Sequence, residues 1–326
     1  MFFIFKVLGL RLSSYLAGKI FQIIGPFFRS KKLIHQNIMK AFPNIDQKKI
    51  NELTSAMWDN YGRVFAEYVF IKNFRITNLN NNIIVEGKEI LDEIKKNNEK
   101  VVFISGHFSN FELMAMQLEK MGIKIAAVYR PLNNVFLNKL MERIRKKYIC
   151  KNQIKKGIGG LKDLLKLNKE GYSTALMIDQ RVSQGSKLDF FNEKAFTTTI
   201  PAQLVKKFNI PVVPIFIERF NGIKFKMKVH KPIYFPDNNS IDDITVRLNK
   251  ILEKMILENP DQWIWTHDRL SRAGLQNDGR CPFYLSGEVE DHTQMWCRCA
   301  SWGGGRGPHK ERNSDTSTKY QRRTKR

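Results

Sequence analysis

A run of apolar and β-branched residues, Val101-Val102-Phe103-Ile104, passes through Ser105-Gly106 into His107-Phe108-Ser109-Asn110-Phe111-Glu112. A short apolar run without alternation is the pattern of a strand buried on both faces, and such strands belong to parallel sheets covered by helices. Gly106 permits a sharp exit, and Ser109 to Met121 predicts a helix closed by Gly122. The stretch points to an α/β chain: a central, mostly parallel sheet flanked by helices, with His107 at the sheet's edge. In open α/β sheets the carboxyl ends of the strands are where ligands bind.

His107 and Glu112 invite pairing, but five residues along one continuous helix would set their side chains roughly 140° apart. They meet only if His107 sits in the turn and Glu112 in the first helical turn. Glu112 would then hold the imidazole, fix its tautomer and stabilise the imidazolium formed on taking up a proton. Ser109-Asn110-Phe111-Glu112 also matches a capping box, which alone would account for the glutamate.

Further strands follow the same logic. Ile83 to Gly87 reads as a strand and turn before a surface helix over Lys88 to Lys96, and Ile123 to Tyr129 as the strand after the central helix. Pro131 holds Arg130 extended at that strand's exit. Right-handed parallel connections predict that the strands ending in His107 and Arg130 lie side by side. Arg130 is then either an ordinary surface cation or an anion-stabilising group at the shared edge. Tyr172 to Ile178 forms a third strand ending in Asp179-Gln180-Arg181. Ile210 to Ile217 forms another, with Phe225 to Val229 as an antiparallel partner and Ile241 to Glu258 as a closing amphipathic helix.

Between these elements, Phe136 to Lys156 reads as one very basic helix, either a solvated lysine face or a docking patch for phosphate or an acidic carrier. Gly157 to Gly160 lacks the phosphate-loop pattern, so nothing there points to a nucleotide. The whole chain carries 55 Lys and Arg against 31 Asp and Glu, a formal charge of +24. That balance points to acidic partners: phosphates, an anionic membrane surface or an acidic protein. The charge and the basic tail leave a basic nucleic-acid-binding protein as a competing, less favoured function, but no interleaved basic and aromatic motif of a nucleic-acid module accompanies them, so no specific nucleic-acid partner is expected.

Residues 1–28 are strongly apolar but interrupted by Lys6, Arg11 and Lys19, which predicts an interfacial or tilted anchoring helix ending near Gly25-Pro26. The alternative is a helix packed on the protein's own core. From Ser30 to Phe70 the pattern stays helical, broken at Pro43-Asn44. Cys150 follows a basic helical stretch and reads as a structural thiol rather than a nucleophile.

Several separated motifs agree in order: Gly106-His107-Phe108-Ser109-Asn110-Phe111-Glu112, Tyr129-Arg130-Pro131-Leu132-Asn133-Asn134, Asp179-Gln180, Phe190-Phe191 with Thr197 to Thr199, Pro211 to Pro214, and Pro260-Asp261-Gln262-Trp263-Ile264-Trp265-Thr266-His267-Asp268-Arg269. With this set the chain resembles the lipid A biosynthesis acyltransferases, the lauroyl and myristoyl transferases of the lysophospholipid acyltransferase superfamily. The resemblance implies a glycerol-3-phosphate acyltransferase-like fold at the cytoplasmic face of an inner membrane. It implies transfer of a fatty acyl group from acyl carrier protein to a hydroxyl of a lipid A precursor, with no cofactor beyond that donor and no metal. Another phospholipid or glycolipid is the alternative acceptor.

By position, the resemblance makes His107 the general base and Glu112 its orienting carboxylate. It places Arg130, Asn110 and Asp179 as substrate-binding or oxyanion residues, with Asp179 structural as an alternative. Trp263, Trp265 and His267 are expected to pack beneath the site rather than react.

Beyond Arg269 the texture changes, with Leu270 where the family usually has Trp. The expected division is an anchoring helix over 1–28, an acyltransferase domain over 29–270, and a disordered or foreign tail over 271–326. A zinc site from Cys281, His292, Cys297 and Cys299 is the functional alternative for the tail, although Cys-x-Cys lacks the usual finger spacing.

Overall fold

The computed structural model describes residues 2–77, 82–132, 134–182, 185–267 and 269–270. The tail and its zinc alternative lie outside the described residues, as do Asn133 and Asp268.

The chain opens with helices α1 (Phe2–Ile24), α2 (Lys31–Ala41), α3 (Gln47–Glu67) and the short α4 (Ile71–Ile76). It then alternates through β1 (Ile83–Glu86), α5 (Lys88–Lys96), β2 (Val102–Ser105), α6 (Glu112–Lys120) and β3 (Ile125–Tyr129). Next come α7 (Val135–Ile144), β4 (Asn152–Lys155), α8 (Ile158–Lys169) and β5 (Ser173–Met177). A hairpin of β6 (Ser186–Phe190) and β7 (Glu193–Thr197) leads to α9 (Ile200–Phe208), β8 (Val212–Asn221), β9 (Lys224–Val229) and α10 (Ile241–Glu258).

Among the described residues, seven strands form one sheet in the order β1-β9-β8-β2-β5-β3-β4, parallel throughout except for β8 against β9. All four residues of β2 are buried, as expected for a strand covered by helices on both faces. Local chemistry sets the helix starts: Ser30 and Asp46 cap α2 and α3, and Ser240 with Asp243 forms a capping box on α10.

Two expectations change, and a third motif gains a place. The strands ending before His107 and Arg130 are not neighbours, because β5 inserts between β2 and β3. The basic stretch over 136–156 is not one helix: α7 gives way to a π turn over Arg145–Ile149 and then to edge strand β4. The Phe190-Phe191-Asn192 motif lies at a hairpin, with Phe191 and Asn192 both at positive φ in the tight turn between β6 and β7.

Helix α1 packs on the protein along one face and is exposed along the other. Gly9, at φ 73° and ψ 167°, breaks its continuity, and the buried Ser13 hydroxyl donates to the Phe5 carbonyl at 2.8 Å across the break. One face then packs on α3, with Phe5 and Phe21 against the Phe65 ring and Ser14 donating to Glu67 Oε1 at 2.8 Å. The other face is apolar and exposed at Phe3, Val7, Leu12, Leu16, Ile20 and Ile23. By length and composition the segment Phe3–Phe27 is a candidate membrane span. The two helices approach so closely that a Cβ on Gly62 would fall 2.1 Å from the Ala17 carbonyl oxygen.

This contact generates a paired prediction. Gly62→Ala, despite alanine's better helix propensity, should lower unfolding stability by about 1–3 kcal/mol through overpacking. Gly159→Ala in α8, where a Cβ meets nothing within 4 Å, should raise it by about 0.5–1 kcal/mol. Denaturant unfolding of the two variants in detergent reads both signs.

Candidate active site

The site starts from strand register. β2 and β5 pair with Ser105 opposite Met177, so two residues further on, at the carboxyl edge, His107 faces Asp179. The imidazole Nδ1 lies 2.7 Å from Asp179 Oδ1, and the His107 backbone N–H donates to Asp179 Oδ2 at 2.7 Å. Trp263 Nε1–H adds a third donor to Oδ2 at 3.0 Å. The Asp179 carboxylate is fully buried. Burial alone would raise its pKa, but the charge of His107 and the hydrogen bonds from its ring and backbone outweigh that and hold it below the ordinary carboxylate range.

An ionised Asp179 at Nδ1 selects the tautomer with a proton there and makes Nε2 the accepting nitrogen of the ring. The Gln180 amide nitrogen lies 3.3 Å from Nε2, and the Phe111 ring meets the imidazole edge-on, with centroids 4.7 Å apart. Trp265 stands edge-on to Trp263 at 4.7 Å, and His267 is buried, its pKa held well below 6.5 by desolvation. These aromatic and imidazole groups lie behind Asp179, where packing beneath the site was expected.

Glu112 occupies a different position from the one expected of it. The place of orienting carboxylate is taken by Asp179, while Glu112 Oε1 accepts from Arg145 Nε at 2.8 Å and from its NH2 nitrogen at 2.6 Å. The reason is local: Ser109 sits at φ 44°, its N–H bonded to the Gln262 carbonyl at 3.0 Å. Helix α6 therefore starts later, with Phe111 as an N-cap that makes no side-chain bond. The capping box does not form. Arg145, one cation among many in the sequence, is buried here as the partner of Glu112. Desolvation works against its charge, but Glu112, together with Tyr68 and Tyr129, more than offsets it and raises the guanidinium pKa.

Asn110 also moves out of the site. Its side-chain amide donates to Glu67 Oε2 at 3.0 Å, where the fully buried Glu67 is gripped by both terminal nitrogens of Arg219 and by Ser14. The asparagine thus ties the His107 turn to α3. Arg130 stays at the site: with His107, Glu112 and Arg145 it lines a cavity of about 200 Å³. The rest of the lining is largely apolar, including Phe103, Met114, Val128, Leu132, Leu176 and Ile264.

Sequence reasoning missed Arg145 and Tyr68 as cavity groups, since nothing local separates Arg145 from its exposed neighbours Arg143, Lys146 and Lys147. Cys150 is buried and its thiol is pushed up to about 12, chiefly by desolvation, which fits a structural role. Among the described residues no group of three His, Cys, Asp or Glu side chains converges as a metal cluster would.

The arrangement can take a proton from a hydroxyl at Nε2 while an apolar substituent lies in the adjoining cavity. Comparison with known proteins gives this layout its class, that of an acyltransferase, through a family model that matches residues 1–272. The chain belongs to the bacterial lipid A biosynthesis acyltransferase family. It is 23% identical over 254 residues to the lipid A biosynthesis myristoyltransferase of Escherichia coli K12, covering 76% of each chain. It is 24% identical over 250 residues to the lauroyltransferase of the same organism, covering 74% of this chain and 79% of that one. Similarity to lipid A biosynthesis acyltransferase 2 of Shigella flexneri is 27% over 187 residues, covering 55% and 58%.

Two stability predictions follow from the carboxylates. Glu112→Ala leaves Arg145 buried without its partner and should cost about 3–5 kcal/mol, whereas Glu112→Gln with Arg145→Met should recover most of that loss in equilibrium unfolding. For Asp179 the depressed pKa makes its contribution fully present above the unfolded-state value, about 4, and lost as pH falls through the lower folded value. The stability gap between the native chain and Asp179→Asn should therefore narrow as pH falls below about 4. Unfolding curves across that range check it.

Proposed function

We propose that the chain transfers a fatty acyl group from acyl carrier protein to a hydroxyl of a lipid A precursor, at the cytoplasmic face of the inner membrane. The observation that carries the reading is the Asp179-held His107, a lining residue of a largely apolar cavity whose Nε2 is the accepting nitrogen. The family match and the names of the relatives supply the acceptor class. The exposed apolar face of α1 supports attachment to a bilayer, and the chain's charge of +24 suits both lipid phosphates and an acidic carrier.

In this mechanism His107 Nε2 takes the proton from the acceptor hydroxyl as its oxygen attacks the thioester carbonyl carbon. Asp179 stabilises the imidazolium that forms and keeps the ring in register. Arg130, on the same cavity wall, faces the developing oxyanion or a substrate phosphate. The tetrahedral intermediate collapses by breaking the carbon–sulfur bond, and the departing thiolate takes the proton back from His107. The products are an ester and the free carrier thiol, with no acyl-enzyme. Glu112 acts here through Arg145, as a charged pair that shapes the cavity rather than as the partner of His107.

The test is acyl transfer from a mixed pool of acyl carrier protein thioesters to a lipid A precursor, using membranes that contain the chain. His107→Ala should lose roughly 10²–10⁴-fold in rate with the fold retained. Asp179→Asn should lose a large part of the same factor. Normal transfer by His107→Ala would remove the general base and overturn the mechanism. Transfer only to another phospholipid or glycolipid would overturn the acceptor and leave the chemistry.

A further inference from the structure

Helix α7 has two faces with different surroundings. Its inward side contributes Met141, and the π turn that continues it contributes Arg145, to the cavity wall. Leu132, just before the helix, lines the same cavity and is pinned there by its N–H bond to the Asn138 side chain at 2.9 Å. The outward side is different. Phe136 is 86% exposed, Val135 62% and Leu140 45%, and the same side carries the exposed cations Lys139, Arg143, Lys146 and Lys147.

From Val135 to Lys147 the single acidic residue is Glu142, and it turns away to accept from the Tyr129 hydroxyl at 2.6 Å and the Asn138 amide at 2.8 Å. That network, led by the Tyr129 bond, holds the Glu142 carboxyl down to about 2. The outward face therefore presents three bare hydrocarbon side chains at its start and four cations through its end, with no anion among them.

We infer that this outward face of α7 is a second membrane contact, separate from α1, which inserts Phe136, Val135 and Leu140 into the interface of an anionic bilayer while its cations meet lipid phosphates. The chemistry is that of an interfacial helix: apolar groups gain by leaving water, and each nearby cation gains from the negative surface. An acidic protein would also satisfy the cations, but Phe136, 86% exposed with Val135 and Leu140 beside four cations on one helix face, has the pattern of an interfacial helix. The contact rests on the exposed face alone. Its consequence rests on the acyl-transfer reading: because the opposite face of α7 walls the cavity, insertion brings the cavity to the bilayer surface, where a lipid acceptor can enter without crossing water.

The test uses the full chain with Cys281, Cys297 and Cys299 replaced by serine and an environment-sensitive fluorophore on Phe136→Cys. A second version carries the label on Val7→Cys in α1, and a third on the exposed Lys169→Cys in α8. With vesicles of phosphatidylcholine and phosphatidylglycerol the label at 136 should shift to the blue and be quenched by bromine-bearing acyl chains, while that at 169 stays unchanged. Removing two charges with Lys146→Gln and Lys147→Gln should weaken binding to these vesicles roughly thirtyfold.

A label at 136 that stays in water while the label at 7 reports membrane binding would overturn the inference. A blue shift at 136 with acyl carrier protein but not with vesicles would overturn it too, in favour of a protein partner. Neither readout depends on acyl transfer, so failure here is distinguishable from failure of the enzymatic reading. As a check on the consequence, Phe136→Asp should lose transfer to a vesicle-borne acceptor while keeping transfer to a detergent-dispersed one.

Discussion

The buried carboxylate of Asp179 is the interaction on which the site depends. It accepts from the His107 backbone, the His107 ring and the Trp263 indole at once, so the ends of β2 and β5 and the segment after α10 converge on two oxygen atoms. A buried charge of this kind is tolerable only with its hydrogen bonds made, and the three donors leave little freedom in how those segments are arranged. The same carboxylate that orders the scaffold also sets the histidine tautomer. Stability and chemistry are therefore linked through one residue.

Two further buried carboxylates play comparable parts around it. Glu67 collects Ser14 from α1, Asn110 from the His107 turn and Arg219 from β8, which joins the amino-terminal helices to the sheet. Glu112 with Arg145 joins α6 to the π turn after α7 and puts a charged pair on a largely apolar cavity wall. Arg269 works in the same way from the other end of the chain, donating to the Ile178 carbonyl at 2.9 Å and to Asn249 Oδ1 at 2.7 Å while stacking over Phe190. Removing one partner from such a pair costs more than the pair itself contributes, because a bare charge remains in a medium of low polarity.

Much of the architecture was legible along the chain. The apolar run at Val101 to Ile104, the antiparallel reading of Phe225 to Val229 and the bounds of α5 and α10 all follow from periodicity and caps, which are local properties. The edge strand β4 was not legible, because Asn152-Gln153-Ile154-Lys155 follows a basic helix without any turn residue to announce the change. The β6–β7 hairpin turn was not legible either, since Phe191 and Asn192 take positive φ with no glycine to mark it. His107 and Arg130 were read from their positions at strand ends, whereas Glu112 was paired with His107 by closeness in sequence and Asn110 placed by the resemblance, and in the structure these two meet Arg145 and Glu67.

The sequence by itself determined the class of fold, the strand ends that carry His107, Arg130 and Asp179, and the family to which the chain belongs. Strand burial, capping and motif order are written into short windows, and short windows are what a sequence displays. Only the tertiary structure decided which carboxylate meets the histidine. That choice depends on β5 entering the sheet between β2 and β3, a long-range pairing that sets Asp179 two residues past Met177 opposite His107 two residues past Ser105. Burial of Arg145, some 33 positions from Glu112, is decided in the same way, by how helices pack rather than by anything adjacent to either residue.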